Sequence, residues 1–407
     1  MNVPKIRFKG YDREWDKDTI GNVSTSFSGG TPTAGNISFY GGNIPFIRSG
    51  EIHSDNTELS LTEQGLNSSS AKIVAKGSIL YALYGATSGE VDISKVEGAI
   101  NQAILAIFPK EDINKYFLCY LLQGKKEHIV NTLIQGGQGN LSGELIKNYF
   151  VAYPNICEQQ QIAQYFKSLD SLIEATGKKI TSLKQTKQAC MQQMFPAEGE
   201  TTPRVRFKGF EGVWQLRKIG ELGTTYSGLS GKSKVDFGLG SARYITFLNV
   251  LTNAHIDTTI FESVNIKPGE KQNKVVKGDI LFNTSSETPE EVGYCSVLMN
   301  DIDNLYLNSF CFGFRPYAGT INPEFMVYLM RGQIGRSIMK ILAQGATRYN
   351  LSKNRLCEVT IPIPANDDEQ QQIAAFFSNM DKQIRIQEQR LEKLKRIKTA
   401  CLENMFV

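Results

Sequence analysis

The chain states one pattern twice. Pro4-Lys5-Ile6-Arg7-Phe8-Lys9-Gly10-Tyr11 leads to Trp15, and Pro203-Arg204-Val205-Arg206-Phe207-Lys208-Gly209-Phe210 leads to Trp214, at an offset of 199 between the only two Trp residues. Each copy closes on a long polar-apolar segment, 158–195 and 369–406, identical at 16 of 38 positions. A repeat of this length is a duplicated domain and excludes a solenoid. The stretches between the matched ends agree only in outline, so two fixed frames hold two variable inserts.

The closing segments carry an apolar stripe at 4-3-4-3 spacing. In the first it runs through Ile162, Phe166, Leu169, Ile173, Thr176, Ile180, Leu183, Lys187, Cys190 and Met194. In the second it runs through Ile373, Phe377, Met380, Ile384, Gln387, Leu391, Leu394, Lys398, Cys401 and Met405. Heptad spacing over this length predicts a coiled-coil helix of roughly 57 Å at about 1.5 Å per residue. One narrow stripe needs one partner helix, and the other copy is at hand. A helix lying only on its own domain would need a long straight groove, which a single domain rarely offers. The polar seam positions Thr176, Lys187, Gln387 and Lys398 are expected to fix register. Antiparallel pairing would relate the two globular parts by a pseudo-twofold axis and hold them apart as on a rod. The expected divisions are 1–157, a helix at 158–197, 198–368, and a second helix at 369–407.

The inserts read as α/β. Each opens on a small-residue loop, Ser28-Gly29-Gly30-Thr31-Pro32-Thr33 and Ser227-Gly228-Leu229-Ser230-Gly231-Lys232. Strand-like runs follow at Pro45-Phe46-Ile47-Arg48 and Thr246-Phe247-Leu248-Asn249. Lys-Gly turns at Gly77 and Gly278 enter apolar runs ending at Tyr81 and Phe282, which suits a mixed or antiparallel sheet. Those runs exit into unrelated loops, 84–90 and 283–288. Helix candidates stand at 113–123 and 321–331, and polar loops close each insert at 135–142 and 344–352. Dissimilar polar loops on a shared scaffold are what recognition surfaces look like. Asn, Gln, Ser, Thr and Arg are the side chains that hydrogen-bond base edges. The candidate DNA contacts in the first insert are therefore Ser28, Gly29, Thr31, Arg48, Tyr84, Thr87, Ser88, Gln102, Gln135, Gln138 and Asn140. In the second they are Ser227, Lys232, Lys234, Arg243, Asn249, Asn283, Thr284, Ser285, Gln344, Arg348 and Tyr349.

Composition narrows the classes. Hydrophobic content of 41% and charged content of 21% suit a globular protein with real cores. No apolar run approaches the ~18 residues of a membrane span, and the first residues lack a signal-peptide core, so a cytoplasmic protein is expected. The net charge of +4 resides in the two closing segments; the rest balances at 33 basic and 33 acidic residues. Seven Cys without a Cys-x-x-Cys and three scattered His make a metal site improbable. Gly228-Leu229-Ser230-Gly231-Lys232-Ser233 resembles a phosphate loop, but Tyr226 stands where its first Gly belongs. Asn322-Pro323-Glu324-Phe325 resembles the Asn-Pro-Pro-Phe motif of adenine methyltransferases, but its repeat partner Asn114-Lys115-Tyr116-Phe117 marks it as a helix start. There is no Pro-Asp, His-Glu-x-x-His or Gly-x-Ser-x-Gly. No catalytic machinery is expected in this chain.

Taken together, these motifs resemble the specificity subunit of type I restriction-modification systems. The resemblance rests on the paired Arg-Phe-Lys-Gly starts, the Lys-Gly-(Ser/Asp)-Ile-Leu turns, and Asn140-Leu141-Ser142 with Asn350-Leu351-Ser352. It rests also on Glu158-Gln159-Gln160-Gln161-Ile162-Ala163 with Asp170, Glu369-Gln370-Gln371-Gln372-Ile373-Ala374 with Asp381, and the Ala-Cys-x-x-x-Met-Phe endings. It implies an α+β fold with two target recognition domains joined by two antiparallel helices. It implies a noncatalytic subunit that reads a bipartite, asymmetric double-stranded DNA target. Two methyltransferase subunits and motor-nuclease subunits would be its partners, and S-adenosylmethionine, ATP and Mg²⁺ would be bound by them. The alternative is a coiled-coil adaptor that binds protein partners through its two lobes.

Overall fold

The computed structural model describes residues 3–133, 140–345 and 348–407. It divides into two compact units, Met1–Gly177 with Gln389–Val407, and Lys178–Glu388. The divisions fall inside the two long helices, Ile156–Gln193 and Asp367–Asn404, rather than at their starts. Each half-helix is counted with the unit whose core it covers.

The two units are built alike. In the first, Asp16–Thr19 pairs antiparallel with Phe150–Tyr153. A four-stranded antiparallel sheet has the order Ser24–Ser28, Ile104–Pro109, Ile79–Ala82, Val91–Ile93. A second sheet has the order Leu59–Leu61, Tyr40–Ile47, Gly98–Ile100, Lys72–Val74 and is parallel where Phe46 meets Ala99. In the second unit Gln215–Lys218 pairs with Thr360–Ile363. The order Gly223–Ser227, Cys311–Pro316, Ile280–Asn283, Cys295–Val297 matches the first sheet. Glu262–Val264, Phe237–Ile245 and Leu305–Leu307 match the second, again parallel at the last pair.

Local chemistry explains the shared frame. Gly77 and Gly278 enter their strands at φ +91° and +89°, a region open to Gly and strained for other residues. Asn114 and Asn322 cap the helices Lys115–Gly124 and Pro323–Arg331 by accepting backbone N–H groups of the first turn. The run Thr246-Phe247-Leu248-Asn249 is a correction to the sequence reading. It lies on a helix, Phe247–Thr252, because the Thr246 hydroxyl caps the Asn249 N–H and the matching strand has already ended at Ile245.

The repeated Glu-Gln-Gln-Gln-Ile-Ala motif is a latch. Arg7 grips the buried Glu158 with two hydrogen bonds of 2.7 and 2.8 Å, and Arg206 grips Glu369 at 2.8 and 2.7 Å. Gln159 accepts the Asn114 N–H and donates to the Pro154 carbonyl, both at 2.8 Å. Gln370 does the same with Asn322 at 2.8 Å and Pro364 at 3.2 Å. Ile162 and Phe166 then enter a core with Trp15 and Phe117, as Ile373 and Phe377 do with Trp214 and Phe325. Each core is finished by the end of the other copy's helix. Phe406 stacks on Phe166 at 5.7 Å, and Phe195 stacks on Phe377 at 5.6 Å. The helices accordingly stop at Gln193 and Asn404, four and three residues short of the expected ends at 197 and 407, and Met194 and Met405 turn inward with these rings.

Within each unit the helix halves pair antiparallel. The predicted seam residues Ile162, Phe166, Leu169, Ile173, Ile180, Leu183, Met194, Ile373, Phe377, Met380, Ile384, Leu391, Leu394 and Met405 are buried or half-buried. Lys398 reaches Asp170 at 2.6 Å, and the Tyr120 hydroxyl donates to the same carboxylate at 2.8 Å. In the second unit Lys187 pairs with Asp381, to which Tyr328 donates at 2.8 Å. Burial first, then the adjacent carboxylate, raises both tyrosine pKa values.

Candidate nucleic-acid interface

Three backbone hydrogen bonds gather the predicted loops in each unit, and the same three recur. In the first unit Gly30 N–H donates to Ile100 O at 3.2 Å, Leu83 N–H to Ala103 O at 2.8 Å, and Leu141 N–H to Leu83 O at 3.1 Å. In the second, Leu229 N–H donates to Leu307 O at 2.8 Å, Thr284 N–H to Phe310 O at 2.9 Å, and Leu351 N–H to Thr284 O at 2.8 Å. The opening loop, the loop after the central strand and the closing Asn-Leu-Ser segment thus meet at one sheet end. Gly29 and Gly228 make the approach possible. A Cβ on Gly29 would lie 1.8 Å from Ile100 O, and one on Gly228 would lie 2.1 Å from Asn308 O. Gly29 therefore serves close packing.

The side chains on this shared backbone differ. In the first unit Thr31 hydrogen-bonds Gln102, and both are exposed. Asn140 is exposed, while Ser28, Tyr84, Thr87 and Ser88 are half-buried at the rim. The Ser88 hydroxyl is taken by the Leu83 carbonyl at 3.1 Å. Glu90 is bonded to Lys126 and lies 3.3 Å from His53, which contacts Asp92 at 2.8 Å. The Asp92 hydrogen bond, opposed by burial, raises the His53 pKa. In the second unit the loops enclose a cavity of about 480 Å³ lined by residues 227–230, Thr284, Ser309, Cys311, Phe312 and 351–354. Lys353 donates to the Ser227 hydroxyl there at 2.6 Å. Ser227, Lys234, Arg243, Gln344 and Arg348 are exposed, and Thr284 and Tyr349 are half-buried. Arg243 lies over the Phe261 ring at 5.6 Å.

Five candidates are committed elsewhere. Asn249 is 0% exposed and bonds the Asp257 backbone at both its amide oxygen and nitrogen, so it cannot reach a base. Asn283 is equally buried and donates to Glu291 O at 2.9 Å. Ser285 is buried on a short strand, Ser285–Ser286, paired with Tyr349–Asn350. The Lys232 side chain is 4% exposed and bonds Glu270 at 2.6 Å. That bond, with a second from Gln272, holds the Glu270 carboxyl down at about 2. Arg48 is bonded to Glu51 at 3.1 Å and to Glu58, so its charge is neutralised where it stands. Gln135 and Gln138 lie outside the described residues.

Sequence reasoning missed Lys353, whose signal was its place one residue after the repeated Asn-Leu-Ser. It also missed the Tyr120–Asp170–Lys398 and Tyr328–Asp381–Lys187 trios, although Lys187, Lys398 and both Asp residues stood out. Among the described residues no group of three or more His, Cys, Asp or Glu could hold a metal ion. No helix among them is long and apolar enough to cross a membrane.

Against known proteins, residues 12–185 and 211–396 each match the family described as type I restriction modification DNA specificity domain. The chain belongs to this family. It is 24% identical over 295 residues to the type I restriction enzyme MjaIX specificity subunit of Methanocaldococcus jannaschii, covering 69% of this chain and 68% of that one. It is 26% identical over 176 residues to the EcoR124I/EcoR124II specificity subunit of Escherichia coli, covering 41% and 43%. Its fold is that of the type I restriction-modification S subunit from M. genitalium, with a TM-score of 0.64 at 16% identity over 100% of this chain and 99% of that one. A chain from a solved type I restriction-modification system gives 0.56 at 15% identity, covering 96% and 97%. The two specificity domains are thus two target recognition domains of a type I specificity subunit.

Proposed function

We propose that this chain reads a bipartite, asymmetric DNA sequence, one half-site per recognition unit. The observation that carries this is the same three backbone bonds gathering dissimilar polar loops in both units. Identical loop placement with different side chains gives two readers of different sequence. Phosphate contacts from Lys and Arg supply affinity, and the loop side chains select bases. The chain is noncatalytic and works in the cytoplasm. Two methyltransferase subunits dock on it, and motor-nuclease subunits join to cleave unmethylated DNA. S-adenosylmethionine, ATP and Mg²⁺ are bound by those partners. The long helices set the gap between half-sites, because each runs from one recognition unit into the other.

Exchange of loops tests the reading. Replacing residues 84–90 with the corresponding loop of another specificity subunit should change one half-site of the methylated motif and leave the other. An unchanged motif would overturn it. Adding or removing one heptad in both helices should change the gap alone.

A further inference from the structure

The cavity among the loops of the second unit has a chemistry that the first unit lacks. Asn140-Leu141-Ser142 and Asn350-Leu351-Ser352 correspond, so Lys353 stands where the first unit has Gly143. The two places also agree in space. Lys353 reaches the Ser227 hydroxyl at 2.6 Å. A Cβ on Gly143 would lie 3.7 Å from the hydroxyl of Ser28, the repeat partner of Ser227. It would also lie 3.2 Å from Leu105, which crowds that place in the first unit. One unit therefore carries a cation at a position where the other has no side chain.

The lining suits an anion. Among the described residues Lys353 forms no ion pair, and its one hydrogen bond goes to a neutral hydroxyl. An ammonium carries three donors, so two remain. No carboxylate lines the cavity among the described residues. Ser230, Ser309 and Ser352 are exposed on the lining, and their hydroxyls form no hydrogen bond among the described residues. In the first unit the hydroxyl matching that of Ser352, on Ser142, is taken by the Leu145 N–H at 3.1 Å, whereas the Ser352 hydroxyl caps nothing. Leu229, Phe312 and Leu351 give the cavity an apolar wall. Such a wall focuses the field of a cation beside it. Lys232, on the same opening loop, is by contrast neutralised by Glu270.

We propose that this cavity is a phosphate seat, in which Lys353 and the hydroxyls of Ser230, Ser309 and Ser352 hold one backbone phosphate of the second half-site, with no counterpart in the first unit. The inference rests on the DNA-reading function above and gives one of its phosphate contacts a place. Lys and Ser side chains are among those that contact phosphate oxygens and set the register of a protein on the duplex. The cavity opens among the loops assigned to DNA, so a phosphate of the bound strand is the anion that meets it.

The test uses the assembled methyltransferase complex and duplexes carrying the motif found by methylome sequencing. The second half-site is the one left unchanged when residues 84–90 are exchanged. Each of its backbone phosphates is replaced in turn by an uncharged methylphosphonate. Wild-type complex should lose affinity at several positions, and Lys353→Ala should become indifferent at one of them only. Lys353→Arg should regain that sensitivity. Between roughly 50 and 200 mM salt, the ratio of wild-type to Lys353→Ala affinity should fall by about 3.5-fold, as expected for one phosphate contact. The methylated motif should stay the same, because a phosphate carries no sequence information. Lys353→Gln, which keeps a donor for Ser227 without the charge, should match Lys353→Ala and guards against an effect of altered folding. A wild-type complex with no sensitive phosphate in the second half-site would overturn the proposal. So would variants that keep every wild-type sensitivity and the full salt dependence, or that relax a base of the second half-site instead. These outcomes leave the DNA-reading function standing. Absence of any sequence-specific binding by the wild-type complex would overturn both.

Discussion

The loop after the central strand shows how the two recognition units differ. In the first unit it follows Ile79–Ala82 as a 3₁₀ turn, Gly85–Thr87, and ends beside the mixed-charge group of Glu90, Asp92, His53 and Lys126. In the second it follows Ile280–Asn283 through Thr284, which lines a cavity together with Lys353, into a short strand paired with Tyr349–Asn350. Yet the bonds that place both loops are equivalent and come from backbone groups. Position is thus carried by peptide geometry and two tightly packed glycines, and side chains are left free to diverge. A fold organised in this way can exchange its reading chemistry without losing the placement of its loops.

The comparison breaks most severely at the frame. Glu158→Ala and Glu369→Ala each remove a buried carboxylate and leave a half-buried Arg without its partner. Each should destabilise its own unit by about 1–3 kcal/mol, and by similar amounts, as measured by denaturant unfolding. A large asymmetry would show that the two latches are not equivalent. Next come Gly29→Ala and Gly228→Ala, where a new Cβ meets a carbonyl oxygen and the loop must shift. A loss of about 1–3 kcal/mol in stability is expected, with weaker binding confined to the half-site of the altered unit. Gly35→Ala, which meets nothing, should change neither.

A smaller effect sharpens the difference between units. Arg348→Ala should lower the salt dependence of DNA binding by about one phosphate contact. Arg48→Ala should leave that slope unchanged, because Glu51 and Glu58 already neutralise Arg48. The smallest effect is electrostatic. The folded-state pKa of His53 is raised, chiefly by Asp92. Its stabilising contribution is therefore full below the unfolded value near 6.5. It is lost as pH rises through the raised folded value. Half exposure keeps the contribution small. His53→Gln should remove this contribution to the pH dependence of the melting temperature above about pH 6.5, while the His255–Glu324 pair of the second unit stays in place.

Much of this was legible in the sequence because repetition separates frame from insert. The heptad stripe, the Lys-Gly turns and the capped helices at Asn114 and Asn322 each follow from local rules, and the structure contains them. Single residues were harder. Asn249 has base-reading chemistry, but a helix cap at Thr246 buries it. Lys232 reads as a free cation until Glu270, distant in sequence, folds against it. The partners of Asp170 and Asp381 were hidden because antiparallel pairing brings together residues about 200 positions apart.

Methylome sequencing of a host lacking other methyltransferases, expressing this chain with its cognate methyltransferase subunit, tests the central claim most directly. The account expects one bipartite motif with two different half-sites and adenine methylation on both strands. A palindromic or continuous motif, or no new motif from a stably assembled complex, would contradict it.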